Sequence, residues 1–526
     1  MAGATYEELR AQFAWRLPSQ FNIGTACVDR WPADAPALLV DRGGGFDTVS
    51  FGVLRELSSR FANALAGLGV RPGDRIAIVL PQSLEAGVSH VAAFKLGAVS
   101  VPMSVLFREE ALRHRLLDSG AAVVVTDRER LERIEGVARE AGAAVVVTGP
   151  QASAPHRSFG RVVGDASAQL TPAVTGPDTP AVLIYTSGTT GPPKGALHGH
   201  RVLLGHQPGF QLSHDRFPQE GDRFWTPADW AWIGGLMNAL LSCWYHGRPM
   251  VAASRGGFEP EWAAAVIREA GVRNTFLPPT ALRLMRAAGV RLPAGTLRTV
   301  MSGGEVLGQE THAWARDALG VSVNEIYGQT EANYVIGNCQ ELWPVRQGSM
   351  GRPYPGHDVF VREGEIVVGL PDPVAFLGYW NAPEATAAKT AGGVLHTGDR
   401  GRVDEDGYFW FEGRLDDVIS SAGYRIGPEE IEQCLTGHPA VALAAAIGVP
   451  DETRGEVVKA FVVLREGRVG SDALASEIQA HVRGRLAAYE YPRLLEFVES
   501  LPLTVTGKIR RGELRRLEVE RRLHSA

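Results

Sequence analysis

The chain predicts an α/β fold: a large N-terminal domain of parallel, helix-flanked sheets carrying a β-rich subdomain, and a small α+β C-terminal domain. Three observations carry that expectation. From Arg75 to about Tyr327, short apolar runs alternate with longer amphipathic segments; from Gly351 to Phe411 the texture turns Gly-rich with short alternating strands; after Gly413-Arg414-Leu415-Asp416-Asp417 mixed α and β returns. At 526 residues the chain also exceeds what one hydrophobic core serves. We expect an N-terminal domain over 1–412, its β-rich part at about 351–412, a link over 413–417 and a C-terminal domain over 418–526.

The elements follow in order. Ile76–Leu80, Ala122–Val125 and Ala144–Val147 are short and apolar, which suits buried strands, and Leu131–Ala141 is amphipathic at helical spacing. Strands alternating with helices run parallel, because a crossover helix returns the chain to the same end of the sheet. Pro172–Thr179 is turn chemistry leading into an apolar strand, Ala181–Ile184, and His198–Gln211 predicts a helix beyond it. Leu297–Met301 reads as a further strand, and Asp358–Val361 with Glu365–Val368 as short strands of the β-rich part. In the C-terminal region Val441–Val449 and Val457–Leu464 predict strands and Ala473–Ala488 a helix.

Composition removes several function classes. Hydrophobic residues at 45%, charged residues at 21% and a net charge of -6 describe an ordinary globular chain with no basic surface for nucleic acid. Residues 1–15 lack the apolar core of a signal peptide and no stretch is long enough to span a bilayer, so a cytoplasmic enzyme is the default expectation. Cys27, Cys243, Cys339 and Cys434 are scattered without CxxC spacing, which suggests neither a zinc site nor a disulfide framework. Lys95, Lys194, Lys389, Lys459 and Lys508 are the only lysines, every other basic residue being arginine. A compact, mobile ammonium is a different tool from a guanidinium fork, and Lys194 and Lys508 both fall inside motifs.

The first motif is Tyr185-Thr186-Ser187-Gly188-Thr189-Thr190-Gly191-Pro192-Pro193-Lys194-Gly195. Glycines let backbone N–H groups turn toward phosphate oxygens, hydroxyls add donors, and Lys194 adds positive charge. It is not a Walker A loop, since Pro193 stands where that motif has its second glycine and Gly195 follows the lysine. Four further motifs follow: Ser302-Gly303-Gly304-Glu305, Glu325-Ile326-Tyr327-Gly328-Gln329-Thr330-Glu331, His396-Thr397-Gly398-Asp399 and Leu501 to Arg510, which contains Gly507-Lys508. Chemically, the paired glycines at a strand end admit a flat ring, Tyr327 can stack on one, Glu331 offers oxygens to Mg²⁺, and Asp399 offers acceptors to vicinal hydroxyls.

In this order and spacing the motifs resemble the adenylate-forming (ANL) superfamily of acyl-CoA synthetases, peptide-synthetase adenylation domains and luciferases, over nearly the whole chain. Tyr327–Glu331 with Ser421–Pro428 is most similar to medium-chain acyl-CoA synthetases. The resemblance implies ATP, Mg²⁺ and coenzyme A as reactants. A carboxylic acid is converted to its acyl-adenylate with release of pyrophosphate, then to the CoA thioester with release of AMP.

Residue by residue, the resemblance implies that Thr186, Ser187, Gly188, Thr189, Thr190 and Lys194 hold phosphates, and that Gly304, Glu305, Glu325, Ile326, Tyr327, Gly328 and Gln329 surround the nucleotide. Thr330 meets the α-phosphate or the carboxylate, Glu331 the metal, Asp399 the ribose, and Arg414 ribose and phosphate. Lys508 bridges carboxylate and α-phosphate, after which a mobile C-terminal domain rotates about Asp416. Ala422, Gly423, Tyr424, Arg425, Tyr491 and Arg493 then meet CoA. Trp230, Trp232, Met237, Gly328 and Tyr334 lie near positions that line the acyl site in relatives. Acetate-specific members carry Trp where Gly328 stands, and Trp230 is an extra ring in Ala228-Asp229-Trp230-Ala231-Trp232, so the expected acid is medium-chain or bulky: branched, aromatic, alicyclic or terpenoid. Two alternatives stand beside this one: an enzyme loading the phosphopantetheine of an acyl-carrier protein, and a catalytically silent nucleotide-binding regulator. The sequence leaves homodimer formation and acetylation of Lys508 open.

Overall fold

A computed structural model describes residues 5–149, 155–186, 193–305, 307–415, 417, 419–421, 424–451, 455–486, 490–504 and 507–525. The chain gathers into two compact units, one of Met1–Thr186, Pro193–Val359 and Val368–Leu395, the other including Phe360–Val367 and His396–Ala526. Parallel sheets with helices in the first, and a separate C-terminal α+β body in the second, agree with the expected fold class.

The first unit holds two large sheets. One runs in the order Gly378–Tyr379, Lys194–Gly199, Pro180–Thr186, Val99–Pro102, Arg75–Val79, Val123–Asp127, Ala144–Thr148, Arg157–Ser158. Its strands are parallel from Pro180–Thr186 onward, while the first two junctions are antiparallel. Val79, Val99, Val101, Val124 and Leu183 meet in one buried cluster, as expected of runs covered on both faces. Helix Leu84–Leu96 is apolar on nearly every face and is buried accordingly. It starts where Ser83 accepts a hydrogen bond from the Ala86 amide and stops at Gly97, whose φ of 72° is the left-handed turn that glycine tolerates.

The other sheet runs Arg352–Pro353, Asn333–Gly337, Val323–Gln329, Thr299–Gly303, Asn274–Phe276, Phe224–Trp225, Met250–Ala252, Pro36–Asp41, Phe46–Ser50. Trp225, Val251, Ile267, Leu282, Val300 and Val323 form its core. The hairpin Pro36–Asp41 with Phe46–Ser50 extends this sheet from a region ahead of the first strand read from the sequence, Arg75–Val79.

Two expectations need correcting. His198 does not begin a helix: it lies in strand Lys194–Gly199, which pairs antiparallel with Pro180–Thr186, and helices begin only at Arg201–Gly205 and Gln207–Ser213. The backbone groups of 194–199 are satisfied by the neighbouring strand, which overrides the local helical pattern. His396–Asp399 likewise sits within strand Val394–Val403 rather than between strands.

In the second unit, strands Val441–Asp451 and Gly455–Leu464 form a long antiparallel pair, flanked by Ile419–Ser421, Tyr424–Ile426 and Leu494–Phe497. Side chains alternate along them with the period of two. Ala444, Ala446, Val458 and Ala460 face a core with Ile431 and Ile478 from helices Pro428–Thr436 and Asp472–Arg483. Ala445, Ile447, Val449 and Val457 face another core with Leu514 of helix Arg511–Ser525. The helix read as Ala473–Ala488 is observed as Asp472–Arg483. No helix among the described residues is long and apolar enough to cross a membrane.

Candidate active site

In the first unit an antiparallel pair of strands flanks the threonine-rich motif. Thr186 and Lys194 are register partners at its mouth, and the Thr186 hydroxyl donates to the Lys194 carbonyl at 3.3 Å. Ser187, Gly188, Thr189 and Thr190 lie outside the described residues. The stem below is anchored from helix Glu109–Ser119: the Tyr185 hydroxyl donates to Asp118 at 2.7 Å, and His114 Nε2 stands 2.9 Å from the Pro193 carbonyl. Burial, reinforced by the Asp118 carboxylate, pushes the Tyr185 phenol up, so it serves as a neutral donor. A Cβ at Gly195 would lie 2.7 Å from Leu183 Cδ1, so a side chain there would make the Leu183 side chain shift.

Strand Val323–Gln329 carries most of the Glu325–Glu331 motif in the same unit. Glu325 is held at 2.6 Å by His312. Its neighbour Ile326 pairs with Gly303, where a Cβ would lie 2.6 Å from Ile326 Cγ1. Gly304, at φ +98°, faces open space, while Glu305 is drawn to Arg283 at 2.5 Å. Gly328 presses on the returning strand so closely that a Cβ would lie 1.5 Å from the Asn333 carbonyl oxygen; hairpin packing alone therefore demands glycine. Beyond the strand, His198 Nε2 contacts the Thr330 carbonyl at 2.8 Å. Burial holds the His198 imidazole at a pKa of about 4, so the neutral ring donates to that carbonyl and fixes the Thr330–Glu331 backbone.

Glu331 is 8% exposed, and its Oε1 accepts a 2.5 Å hydrogen bond from the Tyr379 hydroxyl. The Tyr379 ring in turn lies under Lys194, with Nζ 5.6 Å from its centroid. Loop root, carboxylate and cation are thus joined through an aromatic ring that motif reading missed. The Gly378-Tyr379-Trp380 aromatic pair was the only local signal, and it does not name its partners. His198, Arg283 and His312 were missed for the same reason.

The donor set suits a hard cation. Glu331 supplies one carboxylate, and Thr330 precedes it in sequence with a hydroxyl. That fits Mg²⁺ bound through one carboxylate together with substrate phosphates, the habit of this ion.

The acyl candidates differ in exposure. Trp230, Met237 and Tyr334 are buried. Tyr334 packs on His206 and Tyr354 at centroid distances of 5.3 and 5.9 Å. Trp232 is partly exposed and meets Phe107 edge-on at 5.9 Å.

In the second unit Asp399 and Arg414 are register partners, and Arg414 Nη1 lies 2.8 Å from Asp399 Oδ1 and 3.0 Å from the Thr397 carbonyl. Glu365, not singled out in the sequence, binds both the Gly398 amide and His396 at 2.8 Å. Lys508 is exposed; its carbonyl accepts from the Thr504 amide at 2.7 Å and its amide donates to the Thr504 hydroxyl at 3.0 Å. Gly507 beside it takes φ +88°, the left-handed region that favours glycine. Tyr491 is stacked by Arg483 at 4.2 Å and Arg493 at 5.4 Å. Asp416, Ala422 and Gly423 lie outside the described residues; Tyr424 and Arg425 belong to strand Tyr424–Ile426.

Beside Asp416, a buried charge network ties Asp417 to the start of the last helix. Arg511 contacts Asp417 at 2.9 Å, Glu429 at 3.2 Å and Glu432 at 2.6 Å, while Arg515 contacts Asp417 at 2.5 Å. Three carboxylates share two guanidinium groups. Burial therefore pushes Glu429 up to about 7, against the attraction of Arg511. Arg511, though burial alone would lower it, is held firmly charged by Glu432, Glu429 and Asp417.

The chain matches two family models: AMP-binding enzyme over residues 25–380, and AMP-binding enzyme C-terminal domain over residues 430–508. It is 34% identical to the uncharacterized acyl–CoA ligase YtcI of Bacillus subtilis (strain 168), over 95% of this chain and 97% of that one. It is also 34% identical to the human mitochondrial acyl-coenzyme A synthetase ACSM4, over 95% of this chain and 91% of that one. The crystal structure of the anthranilate CoA ligase AuaEII in complex with anthranoyl-AMP superposes with a TM-score of 0.85 at 29% identity, covering 95% of this chain and 98% of that one. With the motifs, the folded stem and these likenesses together, the chain belongs to the AMP-binding enzyme family, as an acyl-CoA synthetase of the ANL superfamily.

Proposed function

We propose that this enzyme adenylates a medium-chain or bulky carboxylic acid with ATP and passes the acyl group to coenzyme A in the cytoplasm. The observation that carries the reading is the joined set of Lys194, Tyr379 and Glu331 at the root of the threonine-rich loop. An ammonium and a carboxylate brought together there support the reading of a site for a triphosphate and its metal. A carboxylate resists nucleophiles because its charge is delocalised; conversion to a mixed anhydride with AMP supplies a good leaving group. Lys194 and the loop 186–190 bind the β- and γ-phosphates, and Asp399 with Arg414 binds the ribose. Mg²⁺ on Glu331 would neutralise charge on the phosphates. Lys508 stabilises the negative charge that develops between carboxylate and α-phosphate, so positioning and electrostatics, not a covalent enzyme intermediate, lower the barrier.

The domain organisation proposed from the sequence, with a hinge at Asp416 and a C-terminal domain from 418, serves the second step. Rotation about Asp416 removes Lys508 and brings Ala422–Arg425, Tyr491 and Arg493 to the CoA thiol. For the acid, the anthranoyl-AMP in the related ligase and the partly exposed Trp232 against Phe107 support a ring-accepting pocket. Apolar pockets separate single methylenes by only about 1–3 kcal/mol, so a graded preference across homologous acids is expected. A panel of straight-chain, branched, aromatic and alicyclic acids assayed for pyrophosphate release with and without CoA tests the reading. Thioester and AMP should form together with the preferred acid, and acetate should be poor. Thioester formation on an acyl-carrier protein alone, or nucleotide binding with no acyl-AMP from any acid, would replace it.

A further inference from the structure

We propose that Tyr379 is a positioning residue that presets both ends of the phosphate site: it fixes which Glu331 oxygen is left for the metal and holds Lys194 at the mouth of the loop. The inference rests on the reading of Glu331 as the metal ligand and of Lys194 as a phosphate ligand.

Tyr379 occupies a two-residue strand pinned on every side. Its residue pairs with Ala196, and Gly378 pairs with Leu197. The Trp380 amide donates to the Gly195 carbonyl at 2.7 Å, and the Phe376 amide to the Glu331 carbonyl at 2.8 Å. The Tyr379 amide donates to Thr386 Oγ1 at 2.8 Å, and the Trp380 indole to the Asp118 carbonyl at 3.0 Å. One short segment therefore joins the strand of Lys194, the backbone of Glu331 and the Asp118 anchor of the loop stem. A ring carried there has little freedom to follow its partners, so its partners must conform to it.

The phenol donates to Glu331 Oε1 at 2.5 Å. A carboxylate with one oxygen engaged in so short a bond offers its other oxygen to a cation, so coordination by Glu331 is expected to be monodentate, as a compact octahedral Mg²⁺ prefers. Removing the hydroxyl would leave a carboxylate that is 8% exposed without this donor and free to rotate. The face of the same ring lies 5.6 Å from Lys194 Nζ, where the attraction of an ammonium for the ring quadrupole restrains a flexible side chain before nucleotide arrives. Groups that orient a metal ligand typically contribute about 10–100-fold in metal affinity.

The test is equilibrium binding of Mn²⁺ to the full-length enzyme, read by electron paramagnetic resonance with a non-hydrolysable ATP analogue present. Tyr379→Phe keeps the ring and should weaken Mn²⁺ by about tenfold or more, with metal-free analogue binding unchanged. Tyr379→Leu should weaken metal-free analogue binding as well. Wild-type Mn²⁺ affinity in Tyr379→Phe overturns the proposal. Glu331→Gln separates the two layers: if it too binds Mn²⁺ normally, Glu331 is not the metal ligand. If it alone loses affinity, the ligand stands and the role of Tyr379 falls. Should Tyr379→Phe fail to fold, 3-fluorotyrosine placed at 379 gives a fluorine resonance that must shift when Mg²⁺ joins the analogue complex; an unmoved resonance overturns the proposal.

Discussion

The Lys194–Tyr379–Glu331 set and the Asp417–Arg511–Glu429 network both bring cations and carboxylates together, yet they are balanced differently. In the first, one cation, one ring and one carboxylate meet, with the cation and the ring carried on paired strands. In the second, three carboxylates crowd two guanidinium groups, every charge is consumed internally, and one carboxyl is left needing a proton near neutrality. A binding site is charge left unfinished; a structural joint closes its own account and is sensitive to pH where the closure is incomplete.

Breaking the joint should have the largest effect. Arg511→Met leaves Asp417, Glu429 and Glu432 without their shared cation, and uncompensated buried charge typically costs about 3–5 kcal/mol. Denaturant unfolding should show that loss in the C-terminal unit, with the unit of the first two sheets little changed. Catalysis offers the next effect. Lys508→Ala should slow adenylation about a hundred- to a thousand-fold, as when a donor to developing charge is removed. Thioester formation from supplied acyl-adenylate should be spared, so equal loss in both half-reactions would contradict the assignment.

The smallest effect depends on pH. With Glu429 raised from 4.5 to about 7, folded and unfolded states are alike below about 4.5; as pH rises from there through 7 the unfolded chain ionises first and stability is lost. Across that window the loss is of order 3 kcal/mol, since each tenfold change in proton affinity is worth about 1.4 kcal/mol. Glu429→Gln should therefore raise the melting temperature at pH 8 and leave it nearly unchanged at pH 5. A melting temperature equally shifted at both pH values would show that the carboxyl does not carry the imbalance.

Much of this was legible in the chain. Ile76–Leu80, Ala122–Val125 and Val441–Val449 are strands because apolar, β-branched runs of that length have few other ways to be buried, and the order of motifs carried the family. Misreadings occur where a distant partner outvotes local pattern. His198 belongs to a strand because Pro180–Thr186 offers it a ladder, and Asp399 lies within one because Phe409–Arg414 does. Tyr379 escapes notice in the sequence because its meaning lies in Glu331 and Lys194, far away in the chain. Gly328, which the sequence offers as space for substrate, is already required by the Asn333 carbonyl beside it.

The backbone that carries Lys508 has one more consequence. Thr504 binds Lys508 through backbone and hydroxyl, and Gly507 beside it takes a left-handed φ, so the backbone from which the ammonium extends is tied to Thr504. On the role proposed for Lys508, that tie fixes the backbone from which its charge is offered. Thr504→Val would remove the hydroxyl brace while leaving the ammonium and its charge in place.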